Sequence, residues 1–171
     1  MESSLRAAWA VAAVCRSKVS YCLAQLNIAR FRLPADHPQN ADFINNLDRI
    51  NDIAERQDGF IWRLIESQGD APSNNALAVS AYDDPNIIVN ISLWSSVESL
   101  SAFVYRNKEH RAFMRRGSEW FDKLEFSVVL WWVKSGHTPS IEEAKDKLNA
   151  LSVHGPSENA FTFKDSFPCP D

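Results

Sequence analysis

Residues 123–134 read KLEFSVVLWWVK, and this stretch decides how the chain must be layered. A run of Val, Leu and Trp is a strand pattern, and successive side chains of a strand point to opposite faces. Trp131 and Trp132 therefore lie on opposite faces, and each face needs a bulky, largely apolar cover. Helices on one side of a sheet supply one cover. The other calls for a second sheet, a partner subunit or a ligand cavity.

Working outward, Pro139 leads into a helix expected at 140–152, with Glu142 and Glu143 early and Lys145 and Lys147 later. That charge order suits the helix dipole. His154-Gly155-Pro156 ends it, and a tail follows with three aromatics, Phe161, Phe163 and Phe167. Upstream, strands are expected at 20–32 (SYCLAQLNIARFR), 59–67 (GFIWRLIES) and 86–94 (NIIVNISLW), with the fourth at 125–134. Phe43, Leu47, Ile50 and Ile53/Ala54 make a helical stripe opened by Asn40 as N-cap and stopped at Gly59. Ser95 or Ser96 caps a second helix with Val97, Leu100 and Val104 inward, and a further helix covers 109–122. The order β-α-β, β-α-β predicts an α+β fold, a ferredoxin-like βαββαβ antiparallel sheet with an extra C-terminal helix and tail. Residues 20–171 are read as one domain, and 1–19 as an N-terminal extension.

The bulk properties exclude more than they assign. A net charge of -4 gives no electrostatic support for nucleic-acid binding. The basic residues Arg106, Lys108, Arg111, Arg115 and Arg116 are interrupted by Glu109 and Glu119 and read as a solvated helix face. Cys15, Cys22 and Cys169 are odd in number and scattered, which supports neither a disulfide framework nor a structural zinc site and suits a reducing, cytoplasmic setting. LRAAWAVAAV, within 1–19, is too short to span a bilayer, so no membrane role is expected. Scarce acids with Arg and Ser leave organelle targeting open beside an added helix or a disordered lead.

If Cys22/Ala24/Leu26/Ile28, Phe60/Trp62/Leu64, Ile87/Val89/Ile91/Leu93 and Phe126/Val128/Leu130/Trp132 lie under the helices, the second face follows strand by strand. It carries Tyr21/Leu23/Gln25/Asn27, Ile61/Arg63/Ile65, Ile88/Asn90/Ser92/Trp94 and Ser127/Val129/Trp131/Val133. That face is too apolar for solvent and too polar for a dry core.

The run NISLWSSVESLSAFVYRNKEHRAFMRR joins a strand-ending Trp, a capped helix and a His sixteen residues after that Trp. It resembles the dimeric α/β-barrel superfamily, which includes antibiotic-biosynthesis-type monooxygenases, muconolactone-isomerase-like proteins and haem-binding members. More narrowly, AQLNIARFR, FINNLDRINDIAERQDGFIWRL, LWWVKSGHTPSIEEA and HGPSENAFTF are similar to a family of unknown function within it, over about residues 21–167. The usual wording of that tail is close to WWVPAGHRP, and here Lys134 and Ser135 replace the Pro-Ala pair. The resemblance implies a homodimer packed sheet against sheet, and a histidine near the pocket.

Candidate chemistry follows from residue types on the mixed face. Arg63 among Ile61 and Ile65 must be paired, either with a substrate anion or with an acid of the protein. Asn90 and Ser92 beside Trp94 can orient a carbonyl or phenol, as can Gln25 and Asn27; cross-strand hydrogen bonding is the structural alternative. His110 is the candidate base, because imidazole titrates near neutrality. Trp62, Trp94 and Trp131 are expected to line an apolar pocket. His137 could bind a metal or haem or hold its turn, and His37 and His154 read as structural. No metal spacing, nucleophile elbow or phosphate loop occurs. The expectation is a small-molecule enzyme without a cofactor: a monooxygenase, isomerase or cyclase for an aromatic or polyketide-like compound. Haem binding and a non-catalytic ligand-binding or structural dimer are the alternatives.

Overall fold

The computed structural model describes residues 20–68, 71–73 and 82–171. The segment read as an N-terminal extension lies outside them. Strands β1 (Tyr21–Arg30), β2 (Phe60–Arg63), β5 (Ile87–Trp94) and β6 (Val128–Lys134) form an antiparallel sheet in the order β2-β5-β1-β6. That is the ferredoxin-like arrangement expected from the element order. The strand expected over 59–67 breaks after Arg63, and β3 (Glu66–Gln68) pairs with β4 (Ala71–Ser73) as a separate ribbon.

Helix α1 (Ala41–Glu55) buries Phe43, Leu47, Ile50, Asn51 and Ala54 along one stripe. Asn40 precedes it but does not cap it through its side chain. Its Nδ2 donates instead to the Pro34 carbonyl at 2.9 Å, because a 3-10 turn over Pro38–Asn40 already leads into the helix. Helix α2 (Val97–Ser101) is opened by a reciprocal capping box between Ser96 and Ser99. It widens into a π turn over Ala102–Arg106, and the helix expected at 109–122 is two pieces, α3 (Lys108–Met114) and α4 (Gly117–Trp120). Helix α5 (Ile141–His154) is capped by Ser140, whose Oγ accepts from the Glu143 amide.

The layering corrects the sequence reading in two ways. Leu23 pairs with Trp132 and Ala24 with Trp131, so Trp131 shares a face with Ala24, Leu26, Val89 and Ile91. Trp132 is on the face of Leu23, Leu130 and Trp94. Both phases of β6 are apolar, so amphipathicity could not choose between them; only pairing does. The second correction concerns the cover. α1 and α2 pack on the Leu23/Trp94 face, and α5 packs on the Trp131 face through Ala144, Leu148 and Leu151. The chain covers both faces of its own sheet.

The Leu23/Trp94 face carries two separate apolar clusters. One gathers Leu23, Ala54, Trp94, Leu100, Phe103, Leu130 and Phe161. The other, at the opposite end of the strands, gathers Phe31, Phe43, Leu47, Ile50, Ile88, Phe113 and Trp120. Polar side chains from β1 and β5 lie between them.

Candidate functional site

Gln25 pairs with Ser92 and Asn27 with Asn90 across β1 and β5, so four polar side chains cross the middle of an otherwise apolar face. Amides and hydroxyls cannot be packed dry against helix side chains without hydrogen-bond partners. Between the two clusters lies a cavity of about 650 Å³, floored by these residues and roofed by α1, the π turn and α3. That volume is in the usual range for small-molecule sites.

The floor is partly pre-satisfied. The Trp94 indole N–H donates to Ser92 Oγ at 2.9 Å, and the Ser92 hydroxyl donates to Gln25 Oε1 at 2.7 Å. The amide group of Gln25 is thereby turned so that its remaining polar atom is a donor. Asn27 Nδ2 donates to the Ser127 carbonyl at 3.3 Å, which leaves its oxygen as an acceptor. Asn90 is exposed and lines the same cavity.

His110 sits in the first turn of α3, where Asn107 Oδ1 accepts from the Glu109 and His110 amides. The preceding π turn closes from the Asn107 amide to the Ala102 carbonyl at 3.1 Å. The Val104 carbonyl then faces His110 Nδ1 at 3.2 Å. A carbonyl only accepts, so Nδ1 carries the proton and Nε2 is the basic nitrogen. Nε2 has no hydrogen-bond partner among the described residues. Burial, in contact with the Phe103 ring at 4.4 Å between centroids, holds the imidazole below its ordinary pKa, against a smaller opposing effect from the Val104 hydrogen bond. At neutral pH His110 is an uncharged base on the cavity wall.

Arg63 is 9% exposed, and its Nε lies 2.7 Å from Glu55 Oε1 at the end of α1. Its charge is thus balanced by an acid of the protein while the side chain lines the cavity. Seven of the nine residues singled out in the sequence come together there: Gln25, Asn27, Arg63, Asn90, Ser92, Trp94 and His110. Trp62 and Trp131 do not. Both pack on the opposite face, against the core that α5 covers. The Trp131 indole N–H donates to Glu143 Oε1 at 2.9 Å, and His137 Nε2 lies 2.6 Å from Glu143 Oε2. Burial works against the charged carboxylate, but hydrogen bonds from His137 and Trp131 outweigh it and hold Glu143 below the usual Glu range. His137 therefore holds its turn to α5.

Residues missed in the sequence include Glu55, Asn51, Phe103, Lys123 and Lys164. Asn51 was findable: it stands four residues after Leu47 and three before Ala54, an amide inside an apolar stripe. The lysines come from distant segments and carry no local signal. Among the described residues, no group of three or more His, Cys, Asp or Glu could hold a metal ion. Among them, too, no helix is long and apolar enough to cross a membrane.

Residues 22–171 match the family model described as Domain of unknown function (DUF3291). No curated protein matches the chain. Among solved structures, Rv0793 from Mycobacterium tuberculosis is similar at 12% identity and a TM-score of 0.45, over 70% of this chain and 99% of that one. SnoaB, a cofactor-independent oxygenase from Streptomyces nogalater, is similar at 13% identity and a TM-score of 0.43, over 70% and 97%. A conserved protein from Methanosarcina mazei Go1 is similar at 13% identity and a TM-score of 0.42, over 66% and 90%.

Proposed function

The chain belongs to the DUF3291 family by its match over residues 22–171, and on that footing we propose that it is a small-molecule enzyme working by proton abstraction in the sheet-floored cavity. The observation that carries this reading is His110: a neutral imidazole, its tautomer set by the Val104 carbonyl, whose Nε2 has no hydrogen-bond partner among the described residues and stands beside the cavity. A base so held suits removal of an acidic C–H or O–H proton from an apolar ketone or phenol. The Gln25 and Asn90 amides would donate hydrogen bonds to the oxyanion that forms, and Arg63, held by Glu55, would add a fixed positive wall. The enolate's fate then distinguishes the three reactions. Reprotonation elsewhere is isomerisation, attack on an internal carbonyl is cyclisation, and reaction of the CH2 carbon with dioxygen, which leaves a C=O there and releases the second oxygen atom as water with the two hydrogens of that carbon, is monooxygenation. Aromatic and polyketide-like compounds suit the aromatic lining of Phe43, Phe60, Trp94, Phe103 and Phe113. No organic cofactor or metal is invoked in this route.

The test is hydrogen exchange of 2-tetralone and 1,8-dihydroxyanthrone in D2O under anaerobic conditions, followed by NMR. The protein should accelerate C–H exchange, and His110→Ala should abolish the acceleration. Exchange no faster than buffer, or unchanged in His110→Ala, refutes the assignment.

The same His110 geometry favours a second reading, in which His110 would hold haem through Nε2 while the Val104 carbonyl orients its Nδ1–H. When bound, haem would supply redox chemistry at its iron, and His110 would hold it. A Soret band in protein purified from haem-replete cells favours this reading; failure to take up haemin removes it. A non-catalytic dimer filled by its own side chains is less well supported, given the open cavity beside Arg63 and Asn90. Homodimerisation remains part of the proposal. With α5 over the sheet face, the edge strand β2, which carries Ile61 (48% exposed) and is followed by Ile65 (44% exposed), is the surface offered to a second copy. A cytoplasmic location is proposed from Cys22 and Cys169, which form no disulfide among the described residues.

A further inference from the structure

Six charged or titratable side chains line the cavity: Arg63, Tyr105, His110, Asp122, Lys123 and Lys164. Arg63 is balanced by Glu55. Asp122 is balanced by Arg30 at 2.5 Å, with Arg32 at 4.0 Å. His110 is neutral at pH 7. Lys123 and Lys164 enter no ion pair among the described residues, and both are exposed. Lys123 follows α4 on the way into β6, whereas Lys164 belongs to the tail beyond α5. The tertiary fold alone brings the two onto one cavity. In a chain of net charge -4, a pair of uncompensated cations there is a local property of the site.

Resting on the reading of the cavity as a small-molecule site, we propose that its ligand is an amphipathic acid, with an apolar, ring-bearing body in the cavity and a carboxylate or sulfonate held by Lys123 and Lys164. The apolar lining contributes affinity without direction, because burial of apolar area does not depend on orientation. Two solvated ammonium groups favour the end of the ligand that carries charge and so select which end enters. Each exposed pair of this kind contributes modestly, about two- to fivefold in affinity, and the two together about tenfold. Salt weakens the effect, because both groups face solvent.

The test compares two fluorescent probes of similar body: the anion 8-anilinonaphthalene-1-sulfonate and the neutral N-phenyl-1-naphthylamine. The full chain should bind the anion about tenfold more tightly at low salt. Lys123→Gln with Lys164→Gln should erase that preference and leave affinity for the neutral probe within about twofold, whereas Lys134→Gln, remote at the end of β6, should leave it intact. Asn90→Phe, which fills the cavity, should lower affinity for both probes and so locates them. If the neutral probe binds in the cavity but the anion has no advantage, or keeps it in the double variant, the acid-binding inference is overturned and the cavity reading stands. If neither probe binds, or Asn90→Phe changes neither, both readings are overturned.

Discussion

Trp131→Phe should destabilise the protein by about 3 kcal/mol, and the reason separates a chain that covers its own sheet from one that needs a partner to do so. Trp131 is 1% exposed and sits beneath α5. Its indole N–H donates to the Glu143 carboxylate at 2.9 Å. A hydrogen bond to a charged acceptor contributes about 1.5–3 kcal/mol, and the smaller ring leaves a void costing roughly 1 kcal/mol more. For a domain of this size the sum corresponds to a fall in Tm of about 6–12 °C. The assay is urea unfolding of wild type, Trp131→Phe, Glu143→Gln and the double variant, combined as a double-mutant cycle. The coupling between the two positions should be about 1–2 kcal/mol. A pH series adds a second readout. Glu143 is held below its ordinary pKa, so its contribution is complete above the unfolded value and is lost as pH falls through the folded one. The acid loss should therefore be smaller in Trp131→Phe. Coupling below about 0.5 kcal/mol would refute the idea that this contact joins α5 to the sheet.

Three further outcomes are expected. Burial lowers the His110 pKa, so the unfolded chain takes up a proton first as pH falls below the ordinary imidazole value; the stability lost over that window should shrink in His110→Gln, measured by Tm from pH 7 to pH 5. Ser92→Ala strands the buried Trp94 N–H and should cost about 1–3 kcal/mol in chemical denaturation, and a loss under about 0.5 kcal/mol would show that the relay is not needed. Gly59 has φ +85°, and a Cβ there would meet Ser99 Cβ and Ser95 Oγ at 2.5 Å, so Gly59→Ala should cost about 2 kcal/mol or more, read from the same unfolding curves.

Much of the site was legible in the chain because β1 and β5 alternate cleanly. Gln25 and Asn27 interrupt one apolar row, and Asn90 and Ser92 interrupt another. Both interruptions meet in the fold because Gln25 pairs with Ser92 and Asn27 with Asn90. His110 was nominated by its chemistry and its distance from Trp94, but the π turn that sets its tautomer was not predictable from the helical stripe. Arg63 was expected to need a partner. That the partner is Glu55 follows from the end of α1 reaching β2, a contact between elements.

The two adjacent tryptophans by themselves determined that both faces of β6 are covered, since strand geometry sends neighbouring side chains to opposite sides whatever the fold. The sequence also determined the order of elements and hence the ferredoxin-like sheet. Only the tertiary structure decided which tryptophan meets which layer. β6 is apolar in both phases, so its facing comes from pairing with β1, and the cover over Trp131 comes from α5 folding back across the sheet. Local pattern records which positions are apolar. Which surfaces those positions meet is set by long-range packing, which no single stretch of the chain encodes.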